Sequence, residues 1–149
     1  MCESRKIRRK GYTLMEACVA IIIICILVTI AAPMYGRAIE QARLDSAAGN
    51  LKAIWSAQRA YWLKHHTFAV DLVTLGNEDL ISVSIVETQA LPDAMYVYGI
   101  SSAGADFFIA YAVRGGRVWS GEIQVNELGQ LTGSISKTDG AVLSPQTPE

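Results

Sequence analysis

The chain has 149 residues and a formal net charge of −1, with 51% hydrophobic and 18% charged residues. That length suits one ordinary domain, and so high an apolar content excludes wholesale disorder. Charge is unevenly spread: residues 1–11 carry five basic side chains (Arg5, Lys6, Arg8, Arg9, Lys10) against Glu3, whereas residues 12–149 carry eight basic and thirteen acidic ones. The acidic bulk argues against nucleic acid as the main partner.

Apolar residues are concentrated as well. From Ala17 to Gly36 seventeen of twenty residues are apolar and none is charged. A helix of that length crosses a bilayer core of ~30 Å. The positive-inside rule keeps Arg5–Lys10 cytoplasmic and sends the C-terminus outward. A cleaved signal peptide fits less well, because the run exceeds the usual ~7–15 residues and Ala31-Ala32 is followed by Pro33. A plain signal anchor stays open. Cys2, Cys18 and Cys25 all lie in or before the run, so residues 37–149 hold neither a disulfide nor a cysteine metal site. Cys18 and Cys25 fall roughly 10 Å apart along a helix, too far for a bridge within one chain.

Glu16 is the residue a plain anchor leaves unexplained. An ionised acid at membrane depth costs on the order of 2–4 kcal/mol if central and less at the interface, and its helical neighbours Tyr12, Thr13, Val19 and Ala20 carry no positive charge. As a bland alternative, Glu16 snorkels at the interface.

The stretch Lys10-Gly11-Tyr12-Thr13-Leu14-Met15-Glu16, the apolar run and then Pro33 together resemble the N-terminus of type IV pilins and type II secretion pseudopilins. The shared pattern is a basic leader, a glycine at the cleavage point, an aromatic first mature residue, Thr-Leu, a glutamate fifth in the mature chain and a helix-kinking proline. The likeness is close over residues 5–36 and loose beyond. This chain departs in having Tyr12 where phenylalanine is commoner and Met15, Ala17 and Cys18 where bulkier aliphatics usually surround the acid. The resemblance implies that residues 1–11 are a leader removed by a prepilin peptidase between Gly11 and Tyr12, and that Tyr12 is then N-methylated. The new Tyr12 amine, on the same chain or a neighbour, is then the partner of Glu16. It also implies a homo-oligomeric filament with related pilins, built by an inner-membrane assembly platform with its ATPase. The chain starts single-pass in inner-membrane lipid, N-terminus cytoplasmic and C-terminus periplasmic, and ends in a periplasmic or cell-surface filament.

Beyond Gly36 no proline occurs before residue 63. Leu44, Ala47, Ala48, Leu51, Ile54, Trp55, Gln58, Tyr61 and Trp62 recur every three or four residues, the period of an amphipathic helix. One helix over 12–63 is the simplest reading: filament core or membrane span over 12–36, then an amphipathic half over 37–63. Pro33 and Gly36 predict a kink or local melting. Residues 64–79 read as a connection, with Leu72 and Leu75 tucked into the core and a turn at Gly76-Asn77. His65-His66 cannot converge on one metal from a helix.

From Ser82 the period changes to two. Ser82–Glu87 reads as a short edge strand and Met95–Ile100 as a further strand. Phe107, Ile109, Tyr111 and Val113 alternate with Phe108, Ala110 and Ala112, so both faces of that strand look buried. Arg114-Gly115-Gly116-Arg117 signals a hairpin. Trp119, Gly121, Ile123 and Val125 form a half-buried strand, and the turn at 126–129 leads to a short strand over 130–132. The expectation is an α+β fold of the pilin type: the long helix packed on a small antiparallel sheet of three or four strands over about 82–132. Its globular part covers 37–133, with Leu51, Trp55, Trp62, Phe107, Ile109 and Trp119 in the helix–sheet core. The Ser-, Gly- and Pro-rich tail 134–149 reads as disordered.

No phosphate-cradling glycine motif, nucleophile elbow or paired acids facing a pocket occurs, so neither an enzyme nor a cofactor is expected. Asp106, Glu122 and Asp139 follow no calcium-loop spacing, and no metal is expected. The functional expectation is a structural filament subunit, with an uncleaved, anchored periplasmic binding domain as the alternative. Pilus, secretion pseudopilus and DNA-uptake filament share this N-terminus. The absence of a C-terminal cysteine pair tilts the reading towards a pseudopilin or a small disulfide-free pilin.

Overall fold

Thr13 supplies the start signal of the first helix. Its hydroxyl oxygen accepts from the Glu16 backbone N–H at 3.2 Å, satisfying one of the orphan donors of a helix start. Helix α1 then runs Leu14–His65, 52 residues. The computed structural model describes residues 13–87 and 95–146, and the chain divides into two compact units between Ile39 and Glu40. In the first unit α1 exposes apolar side chains on every face, including Ile22, Leu27 and Ile30. The helix is unbroken through Pro33 and Gly36, so the local melting expected there does not occur. An interior proline costs about 3 kcal/mol, and intact turns on either side hold the backbone helical.

In the second unit α1 has a distinct inner face. Leu44, Ala47, Ala48, Leu51, Ile54, Ala57 and Gln58 are buried at three- and four-residue spacing, while Lys52, Ser56 and Arg59 are exposed. Gln58 is the polar member of the stripe, and both ends of its amide are satisfied. Its Nε2 donates to the Ala69 carbonyl and its Oε1 accepts from the Ala69 N–H, each at 2.8 Å. Helix α2, Leu72–Asn77, is capped by Asp71, whose Oδ1 accepts from the Thr74 N–H at 2.6 Å. The Thr74 hydroxyl, which also donates to this carboxylate, and then that backbone bond hold the Asp71 carboxyl below its ordinary pKa. Leu72 and Leu75 are fully buried.

The edge strand expected at Ser82–Glu87 is instead a short helix, α3, Val83–Glu87. Its buried residue Ile85 lies four positions after buried Ile81, a helical interval, while Val83 is exposed. Five antiparallel strands follow: β1 Val97–Ala103, β2 Phe108–Arg114, β3 Trp119–Asn126, β4 Leu131–Lys137 and β5 Val142–Leu143. They lie side by side in chain order, with a register shift in β1 between Ile100 and Ser102.

Two expectations about the sheet are corrected. It has five strands rather than three or four, and the supposed disordered tail forms most of β4 and all of β5. Ile135, inside that tail, is fully buried. Backbone pairing carries these strands, so polar composition conceals them. The inner face of β2 is also the opposite of the one expected. Phe108, Ala110 and Ala112 have no exposed surface, while Phe107 precedes the strand and is 49% exposed and Ile109 is only half-buried. Both phases of this strand are apolar, so sequence alone could not say which one the helix covers. Phe108, Ile123, Val125 and Ile135 form one core cluster with Leu44, Leu51 and Ile54 of α1. Trp119 is buried in the same cluster, and Trp55 and Trp62 pack against it half-buried.

Candidate functional site

The apolar half of α1 carries the first group of candidate residues. Glu16 occupies the first turn, where the positive end of the helix dipole favours an acid. Thr13 and Glu16 stand at the spacing of a capping box, a local role the sequence reading missed although Thr-x-x-Glu signals it. Gly11 and Tyr12, the expected cleavage point and amine, lie outside the described residues, as does the rest of the leader. Further along, the Thr29 hydroxyl donates to the Cys25 carbonyl at 2.8 Å, one turn back. The helix thus satisfies its one mid-run hydroxyl internally, as an apolar surrounding requires. Cys18 and Cys25 are free and exposed. The helix is long and apolar enough to cross a membrane.

A second constellation lies in the other unit, at the start of its stretch of α1. Glu40 is only 3% exposed. Its Oε1 accepts from Arg114 Nε at 2.8 Å and its Oε2 from an Arg43 terminal nitrogen at 3.1 Å. Arg114 also donates to the Gly115 carbonyl at 2.9 Å, and its guanidinium lies 5.9 Å from the centre of the Tyr96 ring. A buried carboxylate enclosed by two arginines meets the condition under which charge survives desolvation. The sequence held a faint signal for it: Glu40 stands four residues before Leu44, in phase with the buried stripe. Its partner, 74 residues away, left no such trace.

Two tyrosines flank this end of the sheet. The Tyr98 hydroxyl accepts from Asn50 Nδ2 at 2.8 Å. Burial raises its pKa and this bond opposes the rise. The Tyr96 hydroxyl is buried and has no hydrogen-bond partner among the described residues. Burial, reinforced by the negative charge of Glu40, pushes its pKa up to about 12.

The tryptophan stripe does structural work. Trp55 Nε1 donates to the Glu127 carbonyl and Trp62 Nε1 to the Ala105 carbonyl, both at 2.9 Å, tying α1 to two loops. Beside them an open groove of about 310 Å³ is lined by Arg59, Trp62, Leu63, Phe68, Asp106 and Leu128, among others. His65 bonds Glu78 at 2.7 Å and stacks on Tyr61, while His66 adopts φ 54 just past the helix end. Among the described residues no group of His, Cys, Asp or Glu is placed to hold a metal ion, and Asp106, Glu122 and Asp139 form no such group.

No protein-family model matches the chain, and no curated protein matches it.

Proposed function

We propose that the chain is a structural subunit of a filament of the type IV pilus or type II secretion pseudopilus kind. The observation that carries this reading is one helix with two surfaces. Its first half is apolar on every face with a single acid, Glu16, in the first turn, and its second half is the packed helix of an α+β unit. An all-round apolar helix must be surrounded by lipid or by other helices. Prepilin peptidase cuts after Gly11 and leaves a Tyr12 ammonium. In the membrane the helix is the anchor, and in the filament it is one rod in a bundle of identical rods. Both surroundings exclude water, so hydrophobic transfer hardly separates them. The pairing of Glu16 with a Tyr12 amine then selects the axial register, because a mismatch leaves two buried charges unpaired.

Intact-mass measurement of the protein from membranes tests the first step. The expected chain begins at Tyr12; a retained leader or an end near Ala32 overturns the reading. Glu16→Gln tests the second. Glutamine keeps the capping-box spacing but removes the charge. Processing is expected to continue while sheared-filament yield drops about tenfold or more. Undiminished filaments from this variant show that capping alone explains Glu16.

The alternative, an uncleaved anchored binding domain, draws its support from the open groove beside Trp62. The same mass measurement separates the two.

A further inference from the structure

The second unit carries two surfaces, at its opposite ends, that complement each other. Helix α1 is unbroken from Glu40 to Arg59, nineteen residues along and about 28 Å of helix. Strand β2 covers much of the same interval: its seven residues span about 20 Å. Phe108 at its start has its ring centre 4.9 Å from that of Phe68 in the open groove, and Arg114 at its end is bonded to Glu40. The hairpin after Arg114 therefore stands far from the groove, and one copy cannot bring the two together.

At the groove end, Leu63 and Leu128 are 73% and 68% exposed beside half-buried Trp62. The indole bonds of Trp55 and Trp62 fix the loops that carry Glu127 and Asp106. The charges lining the groove are Arg59, Asp106 and Glu127. Arg59 lies over the Trp55 ring, 5.6 Å from its centre. Neither acid takes part in an ion pair among the described residues. An exposed apolar floor with a charged rim has the anatomy of an interface, and this rim has an excess of one negative charge.

At the other end, Gly115, Gly116, Arg117 and Val118 are all exposed. Thr138 holds the tip in shape: its hydroxyl donates to the Arg117 carbonyl at 2.9 Å and its N–H to the Val118 carbonyl at 3.1 Å. The acids near this end are engaged. Glu40 lies between Arg43 and Arg114, and Asp139 is on Lys137. Asp45 accepts from Gln41 and the Gln146 N–H, and Glu122 accepts from Gln124. Arg117 takes part in no ion pair among the described residues, and exposed Val118 stands next to it.

We propose that the Arg117–Val118 tip of one copy docks in the Trp62–Leu128 groove of a second copy. Val118 covers Trp62, Leu63 and Leu128, and Arg117 faces Asp106 and Glu127. The chain itself thus supplies the short apolar side chain and the adjoining cation that the groove matches. Because the two patches differ and lie at opposite ends, the contact is heterologous, and it repeats as an open row unless the rotation closes it. The inference deepens the filament reading and rests on it for the assembly in which the row forms. An exposed ion pair supplies at most about fivefold in affinity, and neighbours held in one assembly raise the effective concentration.

The test uses the full chain in detergent, half of it isotopically heavy, with a photo-crosslinking residue in place of Val118. Heavy–light products are expected that join residue 118 to the segments around Trp62–Leu63 or Leu128. Arg117→Glu is expected to lower their yield about fivefold, and raised ionic strength to lower it too. Adding Asp106→Lys and Glu127→Lys to Arg117→Glu is expected to restore it. Lys52→Glu, an exposed change on neither surface, is expected to leave it unaltered. The proposal is overturned by cross-links to detergent alone, by links between residue 118 of both copies, or by an unchanged yield in Arg117→Glu. Sheared filaments judge the other reading separately. Groove cross-links from cells that make no filaments defeat the filament reading and leave the docking contact standing. Filaments in which residue 118 links elsewhere defeat the docking contact alone.

Discussion

Tyr96 and Tyr98 show how one hydrogen bond separates two similar residues. Both are buried, yet the Tyr98 hydroxyl is met by Asn50 and the Tyr96 hydroxyl by no hydrogen-bond partner among the described residues. A buried hydroxyl without a partner forfeits its hydration and gains nothing in return. Tyr96→Phe is therefore expected to raise stability by about 1 kcal/mol at neutral pH, read as a shifted denaturation midpoint in detergent. The pH dependence has a definite sign. Tyr96 ionises near 10 when unfolded and near 12 when folded, so the folded state holds its proton longer. That contribution is full below pH 10 and is lost as pH rises from 10 towards 12. Wild type is expected to lose stability across that window faster than Tyr96→Phe. Parallel curves would show that the hydroxyl is hydrated.

Strands β3 and β4 meet through two glycines. Gly121 is opposite Ile135 and Gly133 is opposite Ile123. Gly133 has φ +99, and a Cβ there would overlap the Glu122 carbonyl oxygen. An L side chain thus meets both an unfavourable backbone angle and a fixed backbone atom. Gly133→Ala is expected to cost about 3 kcal/mol, measured by chemical denaturation, whereas Gly49→Ala, with open space around it in α1, is expected to be neutral or stabilising. Comparable losses at both positions would contradict the close approach of the strands. The helix was the legible element here and the sheet only partly so. Leu44, Leu51 and Ile54 declare their face by local spacing, whereas Phe107 and Phe108 offer two equally apolar phases.

At the scale of the whole unit, the C-terminal segment closes the fold. Ile135 fills the core, β5 pairs with β4, and the segment is strapped to α1. Gln41 Nε2 donates to the Ser144 carbonyl at 3.1 Å, and the Gln146 N–H donates to Asp45 at 3.3 Å. A chain ending at Gly133 is expected to lose the cooperative unfolding transition and become protease-sensitive throughout the second unit. Loss of a buried aliphatic side chain alone removes about 2–5 kcal/mol from a domain total of about 5–15 kcal/mol. A truncated chain that keeps its transition would return residues 134–146 to the status of a tail.

The features readable from the residues in order are those written in local periodicity and local charge. The uncharged run Ala17–Gly36, the buried stripe Leu44–Gln58, the hairpin at Gly115-Gly116 and the alternation of Ile123 and Val125 each depend on neighbours a few positions away. Folding in three dimensions chose between alternatives that local pattern leaves equal. It made a helix of Val83–Glu87, turned Phe108 rather than Phe107 inward, drew the polar segment after Gly133 into the sheet and brought Arg114 to Glu40. Each of those outcomes depends on a surface supplied from far along the chain. Burial and charge pairing are settled by what lies opposite a residue, and a periodicity contains no record of that.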